Sequence, residues 1–275
     1  MKLLVCVLAG LMWFSGENLF GQRSRRNAPQ SEFPRWTNAP GFEKDVFTFV
    51  RLIYSSNYGR NWGVGDGGQR WSTDFPDADY NIAFRLQQMT SMKVNPDGRQ
   101  LELGDPELFR YPFVYMAEPG SLEFSEQEVI TLRRYLLNGG FLMVDDFWGE
   151  EEWENFAAEM KRVFPDREIL DLPRDHEIFH CVFDLPPSLN LQVPNVRTGT
   201  RSQYTGVTWE RPDAHDAHIR GIYDDKNRLC VVICHNTDNG DGWEREGESE
   251  YFFREFSEKK SYPLGINIIF YSMTH

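Results

Sequence analysis

The sequence predicts an α/β fold with a mostly parallel central sheet and an added β-hairpin. Three stretches predict it. The first is Gly139-Gly140-Phe141-Leu142-Met143-Val144-Asp145-Asp146-Phe147-Trp148. Two glycines close an amphipathic helix, and the apolar run that follows reads as a strand buried on both faces, as in parallel sheets. The second is Val46 to Tyr54, apolar on both faces and hence central. The third is the pair His218 to Tyr223 and Arg228 to Cys234 around the turn Asp224-Asp225-Lys226-Asn227, which reads as a hairpin.

The elements between them follow from caps and periodicity. Asp77 or Asp79 can cap a helix through Ile82, Ala83, Leu86 and Met89. Asp105-Pro106 opens a short helical turn with proline at its first position. Phe113 to Met116 is a strand that ends in Glu118-Pro119-Gly120-Ser121. Ser125 and Glu128 form a capping box for a helix with Val129, Leu132 and Leu136 inward, stopped by Gly139-Gly140. Trp153, Phe156, Ala157, Met160 and Phe164 recur at helical spacing as far as Pro165 and read as core. Arg167 to Leu172 is a further strand, Leu185 to Glu210 is irregular, and Asn239 to Glu248 is a polar glycine-rich loop. Glu250 to Lys259 and Leu264 to Met273 are the last helices.

The chain has 275 residues. Residues 1–21 read as an export signal: Lys2 starts it, Leu3 to Phe14 form its apolar core, and Leu19 and Gly21 mark a cleavage site before Gln22. An uncleaved membrane anchor is the alternative. Residues 22–43 read as a linker and 44–275 as a single domain. The formal net charge of −13 argues against nucleic acid as a partner. Cys181, Cys230 and Cys234 give no disulfide framework. The last two lie on one strand face roughly 13 Å apart at about 3.3 Å per residue, too far to bridge.

Ligands in open α/β sheets sit beyond the carboxyl ends of the strands. Those ends deliver Tyr54 and Asn57, Glu118, Asp145 and Asp146, and His235 and Asn236. Asp145, Asp146 and His235 are the candidate catalytic residues, because carboxylates and an imidazole do acid–base work or hold a divalent metal. Adjacent strand residues face opposite ways, so one of the two aspartates enters the site and the other caps a helix. Arg51, Tyr54, Asn57, Glu118, Trp148, His180, Asn236, Asp241, Trp243 and Glu244 are candidate ligand-binding residues. Arg51 in a buried strand needs an anionic partner, in the core or on a ligand. His176 and His180 have the spacing of metal ligands on a helix, but Pro173 and Pro186 flank them, and no metal ligand set is assigned. Gly63 to Gly68 lacks the lysine of a phosphate loop. No cofactor follows from these residues.

Asp105-Pro106-Glu107-Leu108-Phe109-Arg110-Tyr111-Pro112-Phe113, Gly139 through Trp148, Asn236-Thr237-Asp238, Asp241-Gly242-Trp243, Tyr262 through Asn267 and Met273-Thr274-His275 together resemble a bacterial family known as domain of unknown function 4159. The resemblance covers Phe47 to His275. It implies a class I glutamine-amidotransferase-like architecture, a flavodoxin-like three-layer sandwich, and a distant similarity to trehalose-utilisation proteins. It implies no activity. The sequence departs from the amidotransferases in having no Gly-x-Cys-x-Gly elbow, which argues against that reaction.

Two functions fit. One is an exported protein that binds or hydrolyses a small polar ligand such as a saccharide, with exposed Trp62, Trp148 and Trp243 stacking on sugar faces. The other is a non-catalytic interaction module that contacts cell-envelope proteins.

Overall fold

A computed structural model describes residues 34–41, 45–56 and 70–275. The signal segment, most of the linker, Asn57, Trp62 and the Gly63 to Gly68 loop lie outside these residues. Phe33–His275 forms one compact unit.

Seven strands make one sheet: β1 (Val50–Ile53), β2 (Arg99–Glu102), β3 (Phe113–Ala117), β4 (Phe141–Asp145), β5 (Leu170–Asp171), β6 (His218–Tyr223) and β7 (Leu229–His235). Their order is β2-β1-β3-β4-β7-β6-β5. The first five in that order are parallel; β6 is antiparallel to β7, and β5 to β6. The parallel part, counted along the chain, is the 2-1-3-4-5 order of flavodoxin-like folds, whose switch point lies between β1 and β3. The hairpin extends the sheet beyond β7.

Helices cover both faces. On one face α1 (Asp77–Met89) and α7 (Tyr262–Thr274) pack Ile82, Leu86, Leu264 and Ile268 against Phe49, Tyr115, Met143 and Cys234. On the other, α2 (Glu126–Leu137) and α3 (Gly149–Val163) pack Leu132, Leu136, Phe156 and Met160 against Leu52, Val114, Val144 and Ile233. Alternation along each strand divides its side chains between these two cores. The Ser125–Glu128 capping box is present as its sequence predicts. No helix among the described residues is long and apolar enough to cross a membrane.

Several elements differ from expectation. β1 and β5 are shorter than the runs that predict them. Asp77 and Asp79 do not cap α1, whose N-cap is Pro76; Asp79 turns instead to the buried Arg51. The stretch read as irregular contains α4 (Val196–Thr205), whose Gly199 lets Phe252 and Phe256 pack against its backbone. The polar loop is a buried helix, α5 (Asn239–Glu244). The last two helices join as one rod: α6 (Glu250–Phe252), a π-helical stretch Phe253–Ser261, and α7. That π-helical segment presents the Ser261 hydroxyl to the Asn239 carbonyl of α5.

A candidate acidic site at the strand ends

The carboxyl ends of β1, β3, β4 and β7 share one rim because these strands run parallel. Three of them leave the sheet through a non-glycine residue in the left-handed region: Glu118 (φ 47°), Asp146 (φ 60°) and Asn236 (φ 58°). Asp74, in the turn before α1, has φ 62°. Such residues cost about 1–3 kcal/mol each, and they cluster at functional sites. Cross-ties hold the exits in place. Asp146 N–H donates to the Thr237 carbonyl (3.1 Å) and Asn236 N–H to the Phe147 carbonyl (3.0 Å).

The two adjacent aspartates divide as alternation requires. Asp145 is buried toward α5. Its Oδ2 accepts from the Tyr115 hydroxyl (3.0 Å) and Gly240 N–H (3.1 Å), and its Oδ1 from Asn239 Nδ2 (2.8 Å). Burial pushes this carboxyl up to about 6, and these donors hold it back from rising further. Asp145 thus fastens the first turn of α5 to β4; the helix it ties down is not the one that follows it.

Asp146 turns into an acidic group. A carboxylate oxygen from each of Asp74, Asp146 and Asp238 lies within 4.8 Å of the others, and the same holds for Asp74, Asp241 and Glu244. Asp146 Oδ1 accepts from Trp148 Nε1 (3.2 Å), and Asp238 Oδ1 caps α5 by accepting from Asp241 N–H (2.7 Å). Asp241 accepts from Val196 N–H (2.5 Å) and Arg245 Nε (3.1 Å). Asp74 Oδ2 is shielded from solvent and has no hydrogen-bond partner among the described residues. It lies against Gly240, where a Cβ would stand 2.4 Å from that oxygen.

Burial, and then neighbouring carboxylates, raise these groups. Asp74, Asp146 and Asp238 stand well above the carboxylate range, with Asp241, Glu118 and Asp146 as their respective strongest acidic neighbours. Asp241 is pushed up to about 8, by burial first and by Glu244 and Glu210 in addition. Glu118 is pushed up to about 7 by burial and Glu152, against the pull of Arg70.

The other predicted residues take structural positions around this group. Arg51 is fully buried and bound to Asp79, which answers its need for an anion within the core. The Tyr54 hydroxyl sits 2.7 Å from the carbonyls of Ala117 and Glu118 and so steadies the left-handed exit. Asn236 accepts from Gly149 N–H and donates to the Asp216 carbonyl.

Contrary to expectation, Trp148 and Trp243 do not stack from an exposed rim. Trp148 is 4% exposed and Trp243 is 0% exposed. Gly265 leaves room for the Trp243 indole in the core, with a Cβ position 2.6 Å from its Cζ2. His235 faces Phe147 and Trp153 in the α3-side core, away from the carboxylates. Its Nδ1 accepts from Arg220 (3.0 Å) and its Nε2 donates to the Gly149 carbonyl (3.1 Å). Burial lowers this imidazole to about 4, so it is neutral at physiological pH. His176 caps a 3₁₀ turn and His180 pairs with Asp184. Neither belongs to the acidic group.

Asp74 and Glu210 join the site without a sequence signal that singles them out. Asp238 is marked in the sequence by its place at a strand end and by the Asn236-Thr237-Asp238 motif, but not as a site residue. Asp74 lies in a short aperiodic turn, and Glu210 lies in the stretch read as irregular.

No curated protein matches this chain. A family model does, over residues 48–273. The strand-end carboxylates and the sheet that carries them lie within that span, and the chain belongs to the family described as Domain of unknown function (DUF4159).

Proposed function

We propose that this protein binds a small polar ligand at the strand-end rim and acts on it through carboxyl groups. The observation that carries this reading is the convergence of Asp74, Asp146 and Asp238, from three separate segments, to within 4.8 Å. Burying like charges together destabilises a fold, and groups perturbed in this way concentrate at functional sites. Glu118 near 7 and Asp241 near 8 exchange protons around neutral pH, as general acids and bases do. In a hydrolytic step one carboxylate takes a proton from water as the water oxygen attacks. A protonated carboxyl returns a proton to the leaving group.

The strand order supports a glutamine-amidotransferase-like ancestry, shared with trehalose-utilisation proteins, in which the rim has exchanged a thiol for acids. A saccharide remains one ligand class within the proposal, recognised by hydrogen bonds from carboxyl groups. The test is a thermal-shift panel of sugars, sugar acids and polyols. At least one class is expected to raise the melting temperature of the wild type by several degrees and to leave a folded Asp146→Ala variant unmoved. Equal shifts in both proteins would reject the rim as the binding site.

A second reading, an interaction module for cell-envelope proteins, draws support from the carboxylates already occupied within the fold. Glu152 binds Arg211, Asp79 binds Arg51, and Asp145 has its donors inside the protein. A panel with no hit, together with a partner captured by wild type and Asp146→Ala alike, would favour it.

Export is part of the proposal, with residues 1–21 as its signal and the periplasm or the outside medium as destination. Fractionated cells should hold the full chain beyond the cytoplasm and a version starting at Gln22 within it. Membrane retention of the full chain would instead indicate an uncleaved anchor, and cytoplasmic recovery of both would refute export.

A further inference from the structure

We propose that Asp74, Asp146 and Asp238 form a binding site for one hard divalent cation of the Ca²⁺, Mn²⁺ or Mg²⁺ class, an inference that rests on the reading of the rim as a working site. The donor set is all carboxylate oxygen, which suits hard cations and not the softer metals that prefer thiolate or imidazole. Spacing agrees. Opposite ligands of a Ca²⁺ ion held at 2.3–2.6 Å stand about 4.6–5.2 Å apart. The three aspartate oxygens lie within 4.8 Å of one another, inside the reach of a single ion.

A separate observation points to a missing positive partner. Asp74 Oδ2 is shielded from water yet receives no hydrogen bond among the described residues. Buried carboxylate oxygens are ordinarily paired, and each exception calls for an explanation such as an unseen ion. Gly240 is the residue that allows this close approach, since any side chain there would collide with Oδ2.

The choice between the two acidic groups follows from the arginines. Arg245 lies 3.1 Å from Asp241 and 2.5 Å from Glu244, so the second group already has a cation. Among the described residues no arginine or lysine forms an ion pair with Asp74, Asp146 or Asp238. Arg51, the nearest candidate to Asp74, is committed to Asp79. Among the described residues, three acids of separate origin therefore share a space with no ion-pair partner of their own. A divalent ion would supply that charge, and it would also polarise a bound ligand or water.

The experiment titrates chelator-stripped protein with Mn²⁺ and follows free metal by electron paramagnetic resonance, with calorimetry for stoichiometry. One Mn²⁺ per chain is expected, displaced by Ca²⁺ or Mg²⁺ in excess, with a melting temperature that climbs with metal concentration. Asp146→Asn and Asp238→Asn keep the shape of the side chain and remove its charge. Each should weaken Mn²⁺ at least tenfold, while Glu107→Gln, half-buried in the 3₁₀ helix Pro106–Arg110 and outside the acidic group, should leave it unchanged. Wild-type protein that leaves all Mn²⁺ free overturns the site, as does equal binding by wild type and both asparagine variants. No organic ligand enters this titration. Mn²⁺ binding without a hit in the sugar panel would reject the organic ligand alone. A hit that persists in chelator, with no metal retained, would reject the cation alone.

Discussion

Replacing Asp79 with alanine is expected to destabilise the protein by about 3–5 kcal/mol, the range for removing one partner of a buried ion pair. Arg51 is fully buried in β1. Its Nη2 lies 2.5 Å and its Nε 3.0 Å from Asp79 Oδ1. Burial works against the guanidinium charge, and the Asp79 carboxylate more than offsets it. Without Asp79 the charge stays and its partner goes. At about 2–4 °C per kcal/mol for a chain of this size, the melting temperature should fall by roughly 10 °C. The effect should reach the site as well. Arg51 Nη1 donates to the carbonyls of Trp71 (3.0 Å) and Thr73 (2.9 Å), which fixes the turn that presents Asp74. The double replacement Arg51→Met with Asp79→Leu should recover much of the lost stability, because an apolar pair needs no counter-charge. Urea denaturation measures both, and a loss below about 1 kcal/mol for Asp79→Ala would mean that the buried pair contributes little.

The second large effect is on pH. Glu118 rises from 4.5 to about 7 on folding, and Asp241 from 3.8 to about 8. Asp74, Asp146 and Asp238 move in the same direction. A carboxyl raised in the folded state binds a proton more tightly there than in the unfolded chain. Its contribution is fully present below the unfolded value, near 4, and is lost as pH rises through the folded value. A tenfold gain in proton affinity on folding corresponds to about 1.4 kcal/mol. The metal-free protein should therefore melt several degrees higher at pH 5.5 than at pH 8.5, the reverse of a fold held by ordinary carboxylate salt bridges. Asp146→Asn and Asp238→Asn should flatten the slope by removing charges that repel at high pH. A melting temperature that rises between those two pH values would contradict the arrangement.

What is legible in the sequence is whatever local chemistry dictates. The Gly139 to Asp145 run, the Ser125–Glu128 capping box and the turn at Asp224 carry their instructions in neighbouring residues, and each stands where its signal places it. The rim is legible too, because parallel strands put their ends together. α5 is not. Asn239-Gly240-Asp241-Gly242 has poor helix propensity, and its helix exists because Asp145 and Asp238 bind its N–H groups and Ser261 meets its first carbonyl. Trp243 illustrates the same point: a tryptophan among polar and glycine residues reads as exposed until Gly265 on α7 makes room for it. His235 reads as a rim residue from its place in the chain. Counting alternation from Val231 and Ile233 turns it to the α3 side instead.

Asp145 reaches Asn239 and Gly240, 94 and 95 residues further along the chain. While the polypeptide is being made, Asp146 and Glu118 emerge long before Asp238 and Asp241. The acidic cluster therefore depends on contacts of long sequence separation, whose loop-closure entropy must be met before they form. A chain that stops short of Asp238 would lack one of the three carboxylates that converge at the rim.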